Sequence, residues 1–112
     1  MIISSPTRTR LPDRREHTLI DLVTTDGFAY TAGLGYFADG RLAEVFLTAK
    51  KAGTAIEAAA RDSAVVASLA LQHGVSPETI RRALSRNENG IASGPLGTLH
   101  DLLVSGTTDE KR

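Results

Sequence analysis

Apolar residues along this chain follow a period of two between Phe28 and Tyr36, with short apolar runs on either side, and a helical period after Thr54. Leu19, Ile20, Leu22 and Val23 precede a Thr-Asp-Gly turn, and Phe28, Tyr30, Ala32, Leu34 and Tyr36 then alternate strictly. Asp39-Gly40 forms a second turn, and Leu42, Val45, Phe46 and Leu47 follow it. Strict alternation lines one face of a strand, and Asp-Gly between alternating runs favours a tight hairpin. The pattern therefore predicts an antiparallel meander of three strands within residues 17–48, with one face to bury.

Residues Thr54–His73, TAIEAAARDSAVVASLALQH, carry the longest helical signal. Thr54 and Glu57 have the spacing of a capping box, and Glu57 stands four residues before Arg61, the favourable order for an ion pair. Gly74 supplies the stop, and His73 in the last turn suits the negative end of the helix dipole. Three faces separate on this helix. Glu57, Arg61, Ser68 and Gln72 form a narrow polar strip. Ile56, Ala59, Ala60, Ser63, Val66, Ala67, Ala70 and Leu71 form a broad apolar face. Ala58, Asp62, Val65, Leu69 and His73 make a second, largely apolar stripe. A helix apolar on two sides is either the centre of its domain or lies between its own sheet and a partner.

Ser76 caps a second helix with Pro77 at its first position and Glu78 in its first turn. There Ile80, Ala83 and Leu84 form the inner stripe, with Arg81, Arg82 and Arg86 outside. A polar loop from Asn87 to Gly94 leads to Pro95, which opens a last helix over Leu96–Val104. The predicted fold is α+β: a three-stranded antiparallel β-meander covered by one long helix, followed by two short helices. Residues 1–15, with Arg8, Arg10, Arg14 and Arg15, form an extended basic arm. Residues 16–104 are the domain, and 105–112 are a frayed tail.

Composition narrows the function. The 112 residues suffice for one modest core, and thirteen basic against thirteen acidic residues leave no net field to attract nucleic acid or anionic lipid. The chain has no cysteine, which excludes disulfides, thiolate metal sites and thiol redox chemistry within it. Neither a membrane-length apolar run nor a signal-peptide pattern is present, so a cytoplasmic location is expected, with no membrane partner.

Candidate sites are few. Lys50, Lys51, Gly53 and Thr54 at the start of the long helix are a candidate anion or nucleotide site, although the order is not that of a Walker loop. The competing reading is a strand-to-helix connection that needs Gly53 for its backbone and Thr54 for its cap. Asp62, Val65, Leu69 and His73 are a candidate interface, and a homodimer through that stripe is expected. The sheet's other side is an alternative, because Leu19–Val23 and Val45–Leu47 offer apolar groups to both faces. Asp62, His73, His17 and His100 supply the acid–base groups, but none has metal-ligand or triad spacing. No catalytic residue, metal site or cofactor is predicted.

Two resemblances bear on function. DGRLAEVFLTAKKAGT, followed by a helix ending SLALQHGVSPETI, resembles the TSCPD domain over Asp39 to Leu103. The features that match are the Asp39-Gly40 turn, Glu44-Val45-Phe46, Lys51-Ala52-Gly53-Thr54 and the run from Ser68 to Val75. TRTRLPDRR before the meander is similar to short free-standing members. That domain occurs near the carboxyl end of cobalamin-dependent (class II) ribonucleotide reductases and in small free-standing proteins. The resemblance implies a module related to DNA synthesis, with a ribonucleotide reductase or other protein as partner. Reductase chemistry requires a cysteine radical, a reducing cysteine pair and a large barrel, none of which this chain can supply. An accessory, regulatory or protein-binding role without catalysis by the chain itself is therefore expected. LALQHGVSPETIRRAL is in turn similar to a helix-turn-helix, in which residues 68–86 would present Thr79, Arg81, Arg82 and Arg86 to DNA. Zero net charge, an overlong first helix and the lack of a helix before it weigh against that alternative.

Overall fold

Alternation from His17 onward becomes three strands in the computed structural model, which describes residues 7–12, 17–50 and 54–105. They are β1 (His17–Val23), β2 (Ala29–Tyr36) and β3 (Leu42–Ala49), followed by α1 (Thr54–Gln72), α2 (Pro77–Ala83) and α3 (Pro95–Ser105). The sheet has the order β1-β2-β3 with both pairs antiparallel, so the α+β meander with one long helix stands as expected. The Lys51–Gly53 connection, the Thr54 capping hydroxyl, Arg14, Arg15 and the tail beyond Ser105 lie outside the described residues and side chains.

One turn is used three times. Thr24 N–H donates to the Phe28 carbonyl and Gly27 N–H to the Thr24 carbonyl, both at 2.9 Å. Phe37, Arg41 and Gly40 repeat this pattern at 2.8 and 2.9 Å. Asn87, Ile91 and Gly90 repeat it again, both bonds at 2.9 Å. In each case the glycine has positive φ (89° at Gly27, 91° at Gly40, 79° at Gly90), a region where a β-carbon is strained. The third turn lies in the stretch expected to be a plain polar loop. There the Asn87 side-chain oxygen accepts from the N–H groups of Asn89 and Ile91, and an Arg86–Ala92 bridge closes the hairpin.

The inner sheet face carries Leu22, Tyr30, Ala32, Leu34, Val45 and Leu47, all buried. On it α1 lays Ala60, Ala64, Ala67 and Leu71, while Leu96 and Leu99 of α3 complete the core. Alanines at that spacing bring the helix backbone close to the sheet, where longer side chains would hold it off.

The inward line of α1 differs from the expected one. Val66 is 66% exposed, and Ile56 and Ala59 also face outwards, although the broad apolar face was expected to bury them. The buried line is turned towards the polar strip, so that Gln72 is buried and Ser68 half-buried. The reason lies in β3, whose outer edge needs hydrogen-bond partners that an apolar face cannot provide.

Ser76 caps α2 as expected, accepting the Thr79 N–H at 3.1 Å, with Pro77 at the first position. The placement of its arginines differs from the sequence reading. Arg81 and Arg86 are part-buried, because Asp101 of α3 binds both. Arg81 Nε donates to Asp101 Oδ1 at 2.8 Å, and Arg86 makes a fork of two bonds at 2.7 and 2.8 Å. Arg86 also donates to the Gly90 carbonyl at 3.0 Å. One carboxylate thus joins α2, the third turn and α3 by charge-assisted bonds. The Arg86 and Arg81 guanidinium groups hold its carboxyl well below the usual range, at about 2.

Candidate interaction site

Ser68 and Gln72 close the free edge of β3. The Ser68 hydroxyl accepts the Val45 N–H at 2.9 Å and donates to the Val45 carbonyl at 3.1 Å. Gln72 Nε2 donates to the Ala43 carbonyl at 3.0 Å, and its own side-chain oxygen accepts from Arg8. The Thr9 N–H reaches the Gln72 carbonyl at 2.7 Å, so residues 7–12 pack against the end of α1 and the closed edge. A shallow groove of about 290 Å³ remains, lined by Phe46, Thr48, Arg61, Val65, Leu69 and Arg8 among others.

The outer sheet face is built differently. Register places Leu19, Gly33 and Phe46 side by side in one row across all three strands. A β-carbon at Gly33 would lie 3.3 Å from Phe46 and 3.6 Å from Leu19, so both side chains lean over the glycine. Leu19 is 74% exposed, Val23 62%, Phe46 48% and Phe28 43%. In the next row Glu44 lies flat across Gly35 and meets His17 Nε2 at 3.2 Å, and the His17 ring rests 5.9 Å from Phe46. At the far side Asp21 binds Lys50 at 3.0 Å and accepts from Thr31 at 3.1 Å, and those contacts, Lys50 first, hold its carboxyl below the usual range. No described helix covers this row of exposed apolar side chains.

Of the candidate anion site, only Lys50 has a described side chain, and its ammonium is engaged by Asp21. Of the candidate interface, Val65 and Leu69 are exposed and line the groove beside β3, while Asp62 lies with Val66 on a second, apolar groove of about 480 Å³ against α2 and α3. His73 is exposed at the end of α1, its Nδ1 2.8 Å from the Leu69 carbonyl. All four are exposed along one side of α1 and its end. Of the residues named for DNA, Thr79 bonds the Ser76 hydroxyl at 2.8 Å and Arg82 binds Glu78 at 2.9 Å, while Arg81 and Arg86 are turned to Asp101. Among the described residues no group of three or more His, Asp or Glu could hold a metal ion, and no helix is long and apolar enough to cross a membrane. The apolar groups expected on the sheet's other side from Leu19–Val23 and Val45–Leu47 include Leu19, Val23 and Phe46, but their alignment across Gly33 needs the strand register, which the apolar pattern alone does not supply. The two three-residue turns would have supplied it.

The model of the TSCPD domain matches residues 8–106. The chain belongs to the TSCPD domain family. That match takes in all three strands and all three helices. This TSCPD chain is also 37% identical over 71 residues to a vitamin B12-dependent ribonucleotide reductase of Agrobacterium fabrum. The alignment covers 63% of the TSCPD chain but only 6% of that relative. No solved structure matches the TSCPD chain.

Proposed function

We propose that this TSCPD chain acts beside ribonucleotide reduction as an accessory or regulatory domain that binds protein and leaves the chemistry to its partner. The relation to the B12-dependent reductase carries this reading, because it extends through 71 residues of a chain that has no cysteine. Without a thiol the chain has nothing to generate a sulfur radical or to return reducing equivalents. Its contribution to a reductase is then contact, and the chain has the surfaces for it. The row of Leu19, Gly33 and Phe46 is apolar, exposed and rigidly held by the sheet, as protein-binding patches are.

The test is to mix the purified chain with the B12-dependent ribonucleotide reductase of the same cell. Co-elution at micromolar concentrations is expected, together with a change in the reductase's rate or nucleotide response. The chain alone should reduce no ribonucleotide. Separate elution at tens of micromolar with an unchanged rate would overturn the proposal.

A further inference from the structure

The two edges of the sheet are treated in opposite ways. On the β3 side Ser68 occupies both backbone groups of Val45 and Gln72 the carbonyl of Ala43. Because Val45 turns its N–H and C=O outwards, Val45 and Leu34 are not a hydrogen-bonded pair. Alternation then directs the backbone of Leu34 towards β1, where its partner is Thr18. By the same parity Thr18, Ile20 and Leu22 bond to β2, whereas His17, Leu19, Asp21 and Val23 point their N–H and C=O groups away from the sheet. Among the described residues none bonds to those groups. An open edge with exposed apolar side chains is a template for another strand.

From this edge we infer that β1 pairs with β1 of a second copy, antiparallel about a twofold axis at Leu19, to give one continuous six-stranded sheet. Charge and side-chain chemistry select that register. Hydrogen bonding requires odd-numbered residues to face odd-numbered ones. With the axis at Leu19, Leu19 meets its own copy and each His17 meets the other copy's Asp21. An axis one residue later sets Leu19 against Asp21, and two residues later it sets Asp21 against itself. The last of these joins Leu19 to Val23 but brings two carboxylates face to face; the first register alone both joins apolar to apolar and places the acidic residue beside the imidazole. It also runs the row Phe46–Gly33–Leu19 straight into its symmetry copy, which doubles the apolar platform. Asp21 brings no uncompensated charge to the seam, since Lys50 of its own copy is paired with it. Pairing is isologous and closed, so it stops at the dimer.

Because the native chain has no cysteine, a single thiol reports the register directly. In a hydrogen-bonded antiparallel pair the facing Cα atoms are about 5.5 Å apart, within the roughly 4.4–6.8 Å that a disulfide spans. Leu19→Cys should cross-link to a covalent dimer under mild oxidation roughly tenfold or more faster than Val23→Cys, whose thiols would stand several residues apart. The unmodified chain should sediment at twice 11.9 kDa at tens of micromolar. Leu19→Lys sets like charges opposite each other without touching the β1–β2 ladder and should give a folded monomer, as should Leu19→Pro, which removes an outward N–H. Native sedimentation as a monomer up to millimolar concentration overturns the proposal. So does equal cross-linking of the two cysteine variants, or a dimer that survives Leu19→Lys. All of this is read on the isolated chain, so the result is independent of whether a reductase binds.

Discussion

The hydroxyl of Ser68 bonds both backbone groups of Val45, accepting from its N–H at 2.9 Å and donating to its carbonyl at 3.1 Å. A helix residue thereby takes the place of a fourth strand at the middle of β3. Since Val45 is only 1% exposed, water cannot replace the hydroxyl without opening the groove between α1 and the sheet.

Ser68→Ala should therefore destabilise the fold by about 1–3 kcal/mol, the cost of leaving buried backbone groups unpaired. Urea unfolding measures the loss, and amide exchange at Val45 should accelerate more than at Leu34, which is bonded within the sheet. Gln72→Ala should act in the same direction through Ala43, and it should also free Arg8 and residues 7–12 from the end of α1.

The elements were legible in the sequence wherever a local signal sufficed. Alternation with Asp-Gly gave the meander, and Ser76-Pro77 gave the start of α2. Two features could not be read that way. Helical periodicity marks Ser68 and Gln72 as polar, but only the neighbouring strand edge decides that they turn inwards. Likewise Arg81 and Arg86 look like a solvent face until α3 folds back and brings Asp101, fifteen to twenty residues later, between them. The third turn was readable in principle, because Asn89-Gly90 repeats the chemistry of Asp26-Gly27 and Asp39-Gly40. Its flanks lack alternating apolar residues, and without them the stretch has only the signature of a polar loop.

Asp101→Asn should cost about 1–2 kcal/mol at neutral pH, after allowing for screening of a partly exposed group. The sign follows from its lowered pKa. A carboxyl that titrates near 3.8 when unfolded and at about 2 when folded stabilises the protein above pH 4, and this contribution fades as pH falls towards 2. Stability profiles of the wild type and the variant should accordingly converge in strong acid. Profiles that stay parallel from pH 7 to pH 2 would show that the clamp contributes nothing through its charge.

Gly35→Ala should reveal a steric coupling. A β-carbon at Gly35 would stand 2.3 Å from Glu44 Oε2 and 2.6 Å from its Cγ, so the whole side chain must leave the sheet surface and its contact with His17. A loss of about 1–2 kcal/mol is expected, against the roughly 0.5–1 kcal/mol that alanine ordinarily gains over glycine in a strand. In the Glu44→Ala background the clash disappears and the same substitution should become neutral or stabilising. A double-mutant cycle measures the difference, and additivity of the two changes would refute the contact.

His100 sets the pH dependence nearer neutrality. It is 1% exposed on α3, and its Nε2 is buried without a hydrogen-bond partner among the described residues. Burial pushes its pKa down; the Asp101 carboxylate opposes that shift and Arg81 adds to it. The imidazole therefore stays neutral in the fold at a pH where the unfolded chain, near its ordinary 6.5, already takes up a proton. Stability should be full above pH 6.5 and decline as pH drops below it, a window distinct from the Asp101 transition below pH 4. His100→Leu removes both the titration and the unpaired nitrogen. Its stability should at least equal that of the wild type at pH 7.5 and exceed it increasingly towards pH 5. Thermal melts of the two proteins at half-unit intervals test this. A constant difference in Tm across that range would mean that His100 titrates alike in the folded and unfolded chains.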